Sequence, residues 1–165
     1  MKLTKSFSIC LWFDRQAEEA VTFYSGIFSD FSIGKISRFG KEGFEHHGMP
    51  EGTVMAIDFS MNGMQFTALN GGPMFQFTEA ISLIINCETQ DEIDYFWDKL
   101  SGNGGQPGPC GWLKDRYGLS WQVTPTCLAD YLSDTNPERK ARVANVVFQM
   151  QKMDLSILEN AYNGE

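Results

Sequence analysis

The same order of secondary-structure elements occurs twice along the chain, and this repeat constrains the fold more than any other feature of the sequence. Each half begins with an apolar strand, continues with an amphipathic helix and a weaker strand or loop, and ends with a hairpin. Phe23-Tyr24 lies at the same place in the first helix as Phe96-Trp97 in the second. An internal duplication is the economical explanation. It predicts an α+β fold made of two βαβββ modules.

The first half of the chain predicts a strand, a helix and a second strand. Phe7–Phe13 is rich in apolar and aromatic residues, as a strand buried on both faces would be, and Asp14 after it predicts a helix N-cap. Across Arg15–Phe28, apolar residues recur at steps of three and four, which predicts an amphipathic helix. Phe31–Phe39 follows as a weaker strand. The polar segment Gly40–Gly52, which carries both histidines, is predicted to be a loop.

Each half ends with two strand-like runs joined by a short turn. In the first half the turn is Asn62-Gly63, whose tolerance of positive φ fits a type I′ hairpin. In the second half the turn is Asp115–Gly118. The predicted strands of these hairpins are Thr53–Met61, Met64–Leu69, Trp112–Lys114 and Leu119–Thr124.

The second half begins with an apolar strand and a clearly marked helix. After the strand Ile81–Cys87, Thr89 and Glu92 have the Thr-x-x-Glu spacing of a capping box. The glycine-rich segment Gly102–Gly111 ends the helix. Its predicted apolar stripe consists of Ile93, Phe96, Trp97 and Leu100.

The sequence after Pro125 predicts helices and no further strands. Asn136 is placed to cap one helix, with Pro137 at its first position, and Asp154 is placed to cap a last short one. We therefore expect a domain over residues 1–125, with modules at about 1–73 and 79–125, and a helical extension over 126–165. This extension needs an apolar surface, either on its own domain or on a partner subunit.

Composition narrows the range of partners. A net charge of −8 and a pI near 4.7 argue against a nucleic-acid or anionic membrane surface, because both need clustered Lys and Arg. No apolar run approaches a membrane span, and Met1–Ser8 is too polar for a secretory signal. We therefore expect a cytoplasmic protein whose partners are neutral, apolar or cationic.

The cysteines and histidines form no recognisable catalytic or metal-binding motif. The four cysteines are dispersed without a CxxC pair, which argues against a zinc or redox site. Cys110 has Lys114 and Arg116 nearby in sequence, so a nucleophile and a structural thiol both remain open. His46-His47 has no obvious third ligand nearby, which favours a solvated loop.

Several sequence motifs resemble those of one protein family across nearly the whole chain. They are Leu11-Trp12-Phe13-Asp14, Ala17-Glu18-Glu19-Ala20, Phe23-Tyr24, Leu69-Asn70-Gly71-Gly72-Pro73, and the run from Cys110 to Pro125. In these motifs the chain is similar to the PhnB-like branch of the glyoxalase/bleomycin-resistance/dioxygenase, or vicinal-oxygen-chelate, superfamily. The resemblance implies two βαβββ units around a shared cleft, commonly in a homodimer. Some relatives carry the label 3-demethylubiquinone-9 3-methyltransferase.

Metal-dependent relatives chelate a divalent ion with His, Gln or Glu side chains on the first and fourth strands of each unit. The matching positions in the first unit are Ile9, near Cys10, and Ala68 to Asn70. In the second unit Ser82 lies where a His is usual, and Gln122 where a Glu is usual. Neutral oxygen ligands do not offset the charge of a desolvated cation, so no metal and no other cofactor is predicted.

The resemblance and the polar and aromatic strand residues together lead to three hypotheses. The first is a metal-independent, homodimeric protein that binds a small apolar or cationic molecule in an aromatic-lined cleft. The second is a metal-dependent lyase, isomerase or dioxygenase acting on a small oxygenated substrate through Gln122 and Asn70. The third is a structural or regulatory dimer whose cleft is closed and filled by side chains. The predicted ligand-binding residues are Trp12, Phe66, Asn70, Ser82, Trp121 and Gln122, and no catalytic residue is predicted.

The methyltransferase label has no support from the residues. S-adenosylmethionine usually binds where a glycine-rich turn joins a strand to a helix. Gly102–Gly111 instead follows a predicted helix. A methyltransferase is therefore not expected.

Overall fold

The computed structural model describes residues 7–165, which form two compact units, one up to Gln76 and the other from Phe77 onward. Each unit contains one four-stranded mixed sheet with the same arrangement of strands. The predicted α+β fold with two βαβββ modules is confirmed.

The first unit consists of four strands and two helices. Their bounds are β1 Ile9–Phe13, α1 Ala17–Ser25, β2 Phe31–Arg38, α2 Phe44–His47, β3 Val54–Met61 and β4 Met64–Asn70. The strands lie in the order β1-β4-β3-β2. Strands β1 and β4 are parallel, and the other pairs are antiparallel. Helix α1 packs on β3 and β4, so one face of this sheet is covered by α1 and the other, its open face, is not.

Helix α1 buries its predicted stripe, but it begins differently from the prediction. Ala17, Val21 and Tyr24 are buried against the sheet, as their helical spacing requires. The N-cap is Gln16 rather than Asp14, and it makes no side-chain capping hydrogen bond. The prediction for Asp14 is therefore wrong, because a distant side chain supplies an acceptor for the start of this helix.

The Asn62-Gly63 turn has the predicted conformation. Asn62 has φ 46° and Gly63 has φ 75°, which are the two positive values that a type I′ turn requires. The turn joins β3 to β4 in register from Met61 opposite Met64. Within the loop predicted over Gly40–Gly52, the chain forms the four-residue helix α2 between two glycines of positive φ.

The second unit repeats the strand order and adds three helices. Its elements are β5 Leu83–Cys87, α3 Gln90–Ser101, β6 Gln106–Pro107, β7 Trp112–Lys114, β8 Ser120–Pro125, α4 Cys127–Ser133, α5 Pro137–Val147 and α6 Leu155–Asn163. The strands lie in the order β5-β8-β7-β6, and α3 packs on β5, β7 and β8. The face of this sheet that α3 does not cover is its open face.

Helix α3 carries the predicted capping box. The Thr89 hydroxyl accepts a hydrogen bond from the Glu92 N–H at 3.2 Å, and the Glu92 carboxylate accepts one from the Thr89 N–H at 3.2 Å. Ile93, Trp97 and Leu100 are buried as predicted, whereas Phe96 is half-buried.

The C-terminal helices pack on the second unit itself. Both predicted caps are confirmed, since Asn136 accepts from the N–H groups of Glu138 and Arg139, and Asp154 accepts from that of Ile157. Helix α4 was not predicted.

The Gln90 side chain on α3 holds the start of α6 in place. The Gln90 amide donates to the Met153 carbonyl at 3.1 Å and accepts from the Leu155 N–H at 2.9 Å. The Met153 side chain is fully buried. These contacts fix the start of α6 against α3.

No helix among residues 7–165 is long and apolar enough to cross a membrane.

We expect the C-terminal helices to loosen in acid. Hydrogen bonds from Lys152 and Tyr162 lower the pKa of Asp94 and of Asp134, respectively, below the ordinary value of 3.8. A carboxyl with a lowered folded-state pKa contributes stability that is present above its unfolded pKa and is lost as pH falls through its folded pKa. Urea unfolding followed by circular dichroism between about pH 5 and pH 2 should show this loss, reduced in Asp134→Asn. An identical pH profile in the variant would contradict it.

Candidate functional site

The open face of the second sheet carries a row of three aligned side chains. Gln122 on β8 is in register with Ile84 on β5 and with Trp112 on β7. Residues paired in this way point to the same face of a sheet. Ile84 is exposed, and Gln122 and Trp112 are half-buried. A polar amide therefore lies between two large apolar side chains that are accessible from the same side.

Ser82 and Gln122 form a hydrogen-bonded pair at this row. The Gln122 Nε2 group donates to the Ser82 Oγ at 2.8 Å, and both side chains are half-buried. The Ser82 hydroxyl keeps its own proton as a donor, and no hydrogen bond to the Gln122 Oε1 oxygen is found within residues 7–165. The pair can therefore offer a donor and an acceptor to a ligand side by side.

These two residues do not fit the divalent ion that the family resemblance implies. Both are neutral, and the Gln122 amide nitrogen is directed at the Ser82 oxygen that would have to serve as a ligand. A neutral amide and hydroxyl offer no charge to balance a desolvated cation. Within residues 7–165, no three His, Cys, Asp or Glu side chains lie close enough together to hold a metal ion.

Strand pairing gives the counterparts of this pair in the first unit. Strands β1 and β4 pair over five positions that end at Phe13 opposite Asn70, and β5 and β8 pair over five positions that end at Cys87 opposite Pro125. The counterpart of Gln122 is therefore Thr67, and that of Ser82 is Ser8. This register corrects the alignment made from the sequence, which put Ile9 and Ala68 to Asn70 at these positions. Alignment from sequence had no strand register to anchor it.

Thr67 belongs to a polar row on the open face of the first sheet. Thr67 is in register with Cys10 on β1 and with Asp58 on β3. Its hydroxyl donates to the Asp58 Oδ1 oxygen at 2.7 Å. Cys10 and Asp58 are both exposed. This face therefore presents a carboxylate, whereas the pair on the second sheet is neutral.

A cavity of about 200 Å³ lies at the β6–β7 end of the second sheet. Trp112 and Lys114 on β7 and Ser120 on β8 line it, together with Glu79 from the chain before β5. Lys114 is in register with Ser120, one step along from the row of Gln122 and Trp112. The cavity therefore adjoins the Ser82–Gln122 pair on the same open face.

Comparison with known proteins identifies the family of this chain. Residues 5–124 match the model of the family described as 3-demethylubiquinone-9 3-methyltransferase. The chain belongs to this family. A comparison with curated proteins finds no match.

One solved structure supports both the family and the fold, and a second supports the fold. A putative 3-demethylubiquinone-9 3-methyltransferase, PhnB protein, from Bacillus cereus is 35% identical over 73% of this chain and 99% of its own, with a TM-score of 0.62. A protein from Pseudomonas aeruginosa is 18% identical over 73% of this chain and 98% of its own, with a TM-score of 0.56. The predicted PhnB-like resemblance is confirmed.

Asn70, one of the predicted ligand-binding residues, is buried in this PhnB-like chain. Its Oδ1 atom accepts from the Ala17 N–H at 2.9 Å, and its Nδ2 atom donates to the Val54 carbonyl at 3.0 Å. Asn70 thus supplies the acceptor that Asp14 was predicted to give to α1. Both polar groups of the Asn70 side chain therefore bond to the backbone, and a ligand contact by Asn70 stays a prediction.

Phe66 and Trp121 are counterparts in the two units and are both buried. Phe66 stacks on Phe59, with ring centroids 5.1 Å apart. Trp121 donates through Nε1 to the buried Asp115 carboxylate at 2.9 Å. Both rings lie on the helix-covered face of their sheets, so a ligand contact by either residue stays a prediction.

Trp12 is half-buried and packed within the first unit. Its Nε1 group donates to the Gly72 carbonyl at 2.8 Å, and its ring meets Phe75 edge-on at 5.0 Å. A Cβ atom at Gly71 would lie 2.3 Å from the ring, so only glycine fits there. Close packing against Gly71 and the hydrogen bond to Gly72 thus position the Trp12 indole ring. Of the six predicted ligand-binding residues, the structure joins Ser82 and Gln122 by a direct hydrogen bond.

Contacts within the protein account for His47 and for the backbone of Cys110, whereas His46 is exposed. His47 packs its ring against Phe39 at 4.5 Å and accepts from the Met49 N–H at 3.0 Å. Cys110 lies in a turn with φ 56°, and its N–H donates to the Met150 carbonyl. The loop predicted for the histidines is in part helix α2, and a nucleophilic Cys110 remains an untested alternative.

Proposed function

We propose that this PhnB-like protein binds a small apolar or cationic molecule on the open faces of its sheets, without a metal ion. The observation that supports the proposal is the Ser82–Gln122 pair, a neutral hydrogen-bonding unit at positions where metal-dependent relatives carry ligands. Small-molecule sites are mostly apolar with a few well-placed polar groups. Ile84 and Trp112 beside Gln122 supply the apolar surface.

The pair favours a neutral ligand group with one acceptor and one donor, such as an amide. The ligand carbonyl would accept from the Ser82 hydroxyl, and the ligand N–H would donate to the Gln122 Oε1 oxygen. An aromatic or aliphatic body would then lie over Ile84 and Trp112. A cationic ligand is favoured instead by the exposed Asp58 carboxylate on the first sheet.

The methyltransferase activity in the family description does not enter this proposal. Fold membership does not fix chemistry. Gly102–Gly111 follows α3 and contains the short strand β6, so it does not form the strand-to-helix turn that usually holds S-adenosylmethionine. The homodimer and the cytoplasmic location are also proposals, supported by the family resemblance and the acidic composition.

We expect Gln122→Leu to weaken the binding of benzamide. This probe carries the neutral amide and the aromatic ring that the row can hold. Loss of the Gln122 hydrogen bonds should raise its Kd roughly tenfold, and Ser82→Ala should raise it severalfold. Isothermal titration calorimetry of the full chain measures both effects.

Gln149→Leu is a matched control, because Gln149 is exposed and lies outside the sheets. It should leave the benzamide Kd unchanged. Equal binding by Gln122→Leu and the control would contradict the assignment of the pair. Tighter binding of benzamidine than of benzamide, abolished by Asp58→Asn, would favour the cationic alternative on the first sheet.

A further inference from the structure

Ser120 is the most unusual polar residue of the cavity beside β6, β7 and β8. It is 1% exposed, and its Oγ atom has no hydrogen-bond partner within residues 7–165. A buried hydroxyl without a partner is unfavourable, and native proteins satisfy nearly all such groups. Because Ser120 lines the cavity, a molecule bound there can supply the missing partner.

Lys114 brings a positive charge to the same cavity. It lies on β7 in register with Ser120, so both side chains point to the same face. Its Nζ atom is 2.5 Å from the Glu79 Oε1 oxygen. An ammonium group has three donors, so Lys114 can contact Glu79 and a further acceptor, or exchange one for the other.

The two members of this ion pair are held very differently. The Lys114 side chain is 32% exposed and belongs to a sheet strand, whereas the Glu79 side chain is 61% exposed and lies on a turn before β5. The hydrogen bond from Lys114 lowers the pKa of the Glu79 carboxyl, so Glu79 is an anion at neutral pH. Exposed ion pairs are weak and exchange readily. The strand therefore holds Lys114 in place, whereas another anion can replace the Glu79 carboxylate.

We propose that the cavity binds the carboxylate of a small organic acid, which replaces Glu79 on Lys114 and accepts a hydrogen bond from the Ser120 hydroxyl. Glu79 then acts as an internal competitor that occupies Lys114 when no ligand is bound. This inference rests on the proposed function only in that the same open face binds small molecules. The neutral Ser82–Gln122 pair has no charge preference, and Asp58 on the first sheet favours a cation. The opposite preference proposed for this cavity comes from Lys114 on the second sheet.

The size and walls of the cavity limit the acid. Drug-sized ligands occupy roughly 300–1,000 Å³, and this cavity measures about 200 Å³. The Trp112 ring and two prolines, Pro107 and Pro109, supply apolar surface. A monocarboxylate with a single ring or a short chain matches this combination.

Three probes of nearly the same shape separate the charge preference from simple burial of a ring. Benzoate is an anion, benzamide is neutral and benzamidine is a cation. Calorimetric titration of the full chain should show benzoate binding most tightly of the three. Lys114→Met should weaken benzoate binding roughly tenfold and Ser120→Ala severalfold, since charge-assisted hydrogen bonds are the stronger ones. Glu79→Gln should tighten it severalfold, because the competing carboxylate is gone.

The Glu79 variant makes the test robust, since a gain of affinity does not arise from a damaged fold. Thermal unfolding of each variant checks that Lys114→Met and Ser120→Ala are folded. Benzoate binding no tighter than benzamide, or unchanged by both Lys114→Met and Glu79→Gln, would overturn the proposal. Benzamide binding that depends on Gln122, without any preference for benzoate, would overturn this inference alone and leave the proposed function standing. A preference for benzoate, together with benzamide binding that Gln122→Leu leaves unchanged, would overturn the proposed function and leave this inference standing.

Discussion

Replacing Asn70 with alanine is expected to lower the free energy of unfolding by about 2 to 6 kcal/mol, because two buried backbone groups lose their partners at about 1 to 3 kcal/mol each. One is the Ala17 N–H at the start of α1, and the other is the Val54 carbonyl at the start of β3. Asn70 itself is 2% exposed, so water does not readily replace its amide. Urea unfolding of the variant and the wild type measures the difference.

Two further variants test the explanation for Asn70. Asn145→Ala removes an exposed amide from α5 and should change the free energy of unfolding by no more than about 0.5 kcal/mol. Asn70→Asp keeps the acceptor for Ala17 but loses the donor to Val54, so it should also destabilise. If Asn70→Ala and Asn145→Ala had equal effects, the capping role of Asn70 would be refuted.

Asp115→Ala is expected to have the second large effect, a loss of about 3 kcal/mol or more, because three N–H donors lose an acceptor at about 1 to 3 kcal/mol each. The Asp115 carboxylate accepts hydrogen bonds from the N–H groups of Tyr117 and Leu119 and from the Trp121 indole. Asp115 is 2% exposed and Trp121 is 1% exposed. Alanine would leave three donors without this acceptor and would loosen the β7–β8 turn that positions Gln122.

A double-mutant cycle isolates the contact between Asp115 and Trp121. Trp121→Phe should be destabilising in the wild type and clearly less so in the Asp115→Ala background, because the shared hydrogen bond is already lost. Asp98→Ala, at an exposed helix position, is the matched control and should be near neutral. Strict additivity of Asp115→Ala and Trp121→Phe would show that the hydrogen bond contributes little.

Local chemistry explains which elements could be predicted from the sequence. The Asn62-Gly63 turn, the Thr89–Glu92 capping box and the Asn136 and Asp154 caps each depend on residues within a few positions of one another. The apolar stripe of α1 is equally local, since helical spacing alone decides which side chains share a face. These features agree with the structure because no distant contact competes with them.

Long-range contacts explain what could not be predicted. The acceptor at the start of α1 comes from Asn70, 53 residues after Ala17, so the sequence pointed to the adjacent Asp14 instead. Helix α4 has no side-chain capping hydrogen bond, so it lacks a start signal. The counterparts Ser8 and Thr67 emerge only from strand pairing, which sequence spacing did not define.

The candidate site was predictable in part. The sequence points to Ser82 and Gln122 because they replace the ligands of metal-dependent relatives, and the structure joins them by a hydrogen bond. The sequence gives no such indication for Lys114, Ser120 and Glu79. Glu79 and Ser120 are 41 positions apart, and only the sheet register aligns Ser120 with Lys114. A serine within a strand gives no sequence signal of a buried, unpartnered hydroxyl.

The most direct test of the central claim is a benzamide titration of chelator-treated, ¹⁵N-labelled protein, followed by NMR with and without added Mg²⁺, Mn²⁺ and Zn²⁺. Binding through a neutral pair predicts shifts centred on Ser82, Gln122 and Trp112, with a Kd that the diamagnetic ions leave unchanged and no Mn²⁺ broadening at these residues. Binding that appears only after a divalent ion is added, with Mn²⁺ broadening around Gln122, would contradict the account and support metal-dependent chemistry.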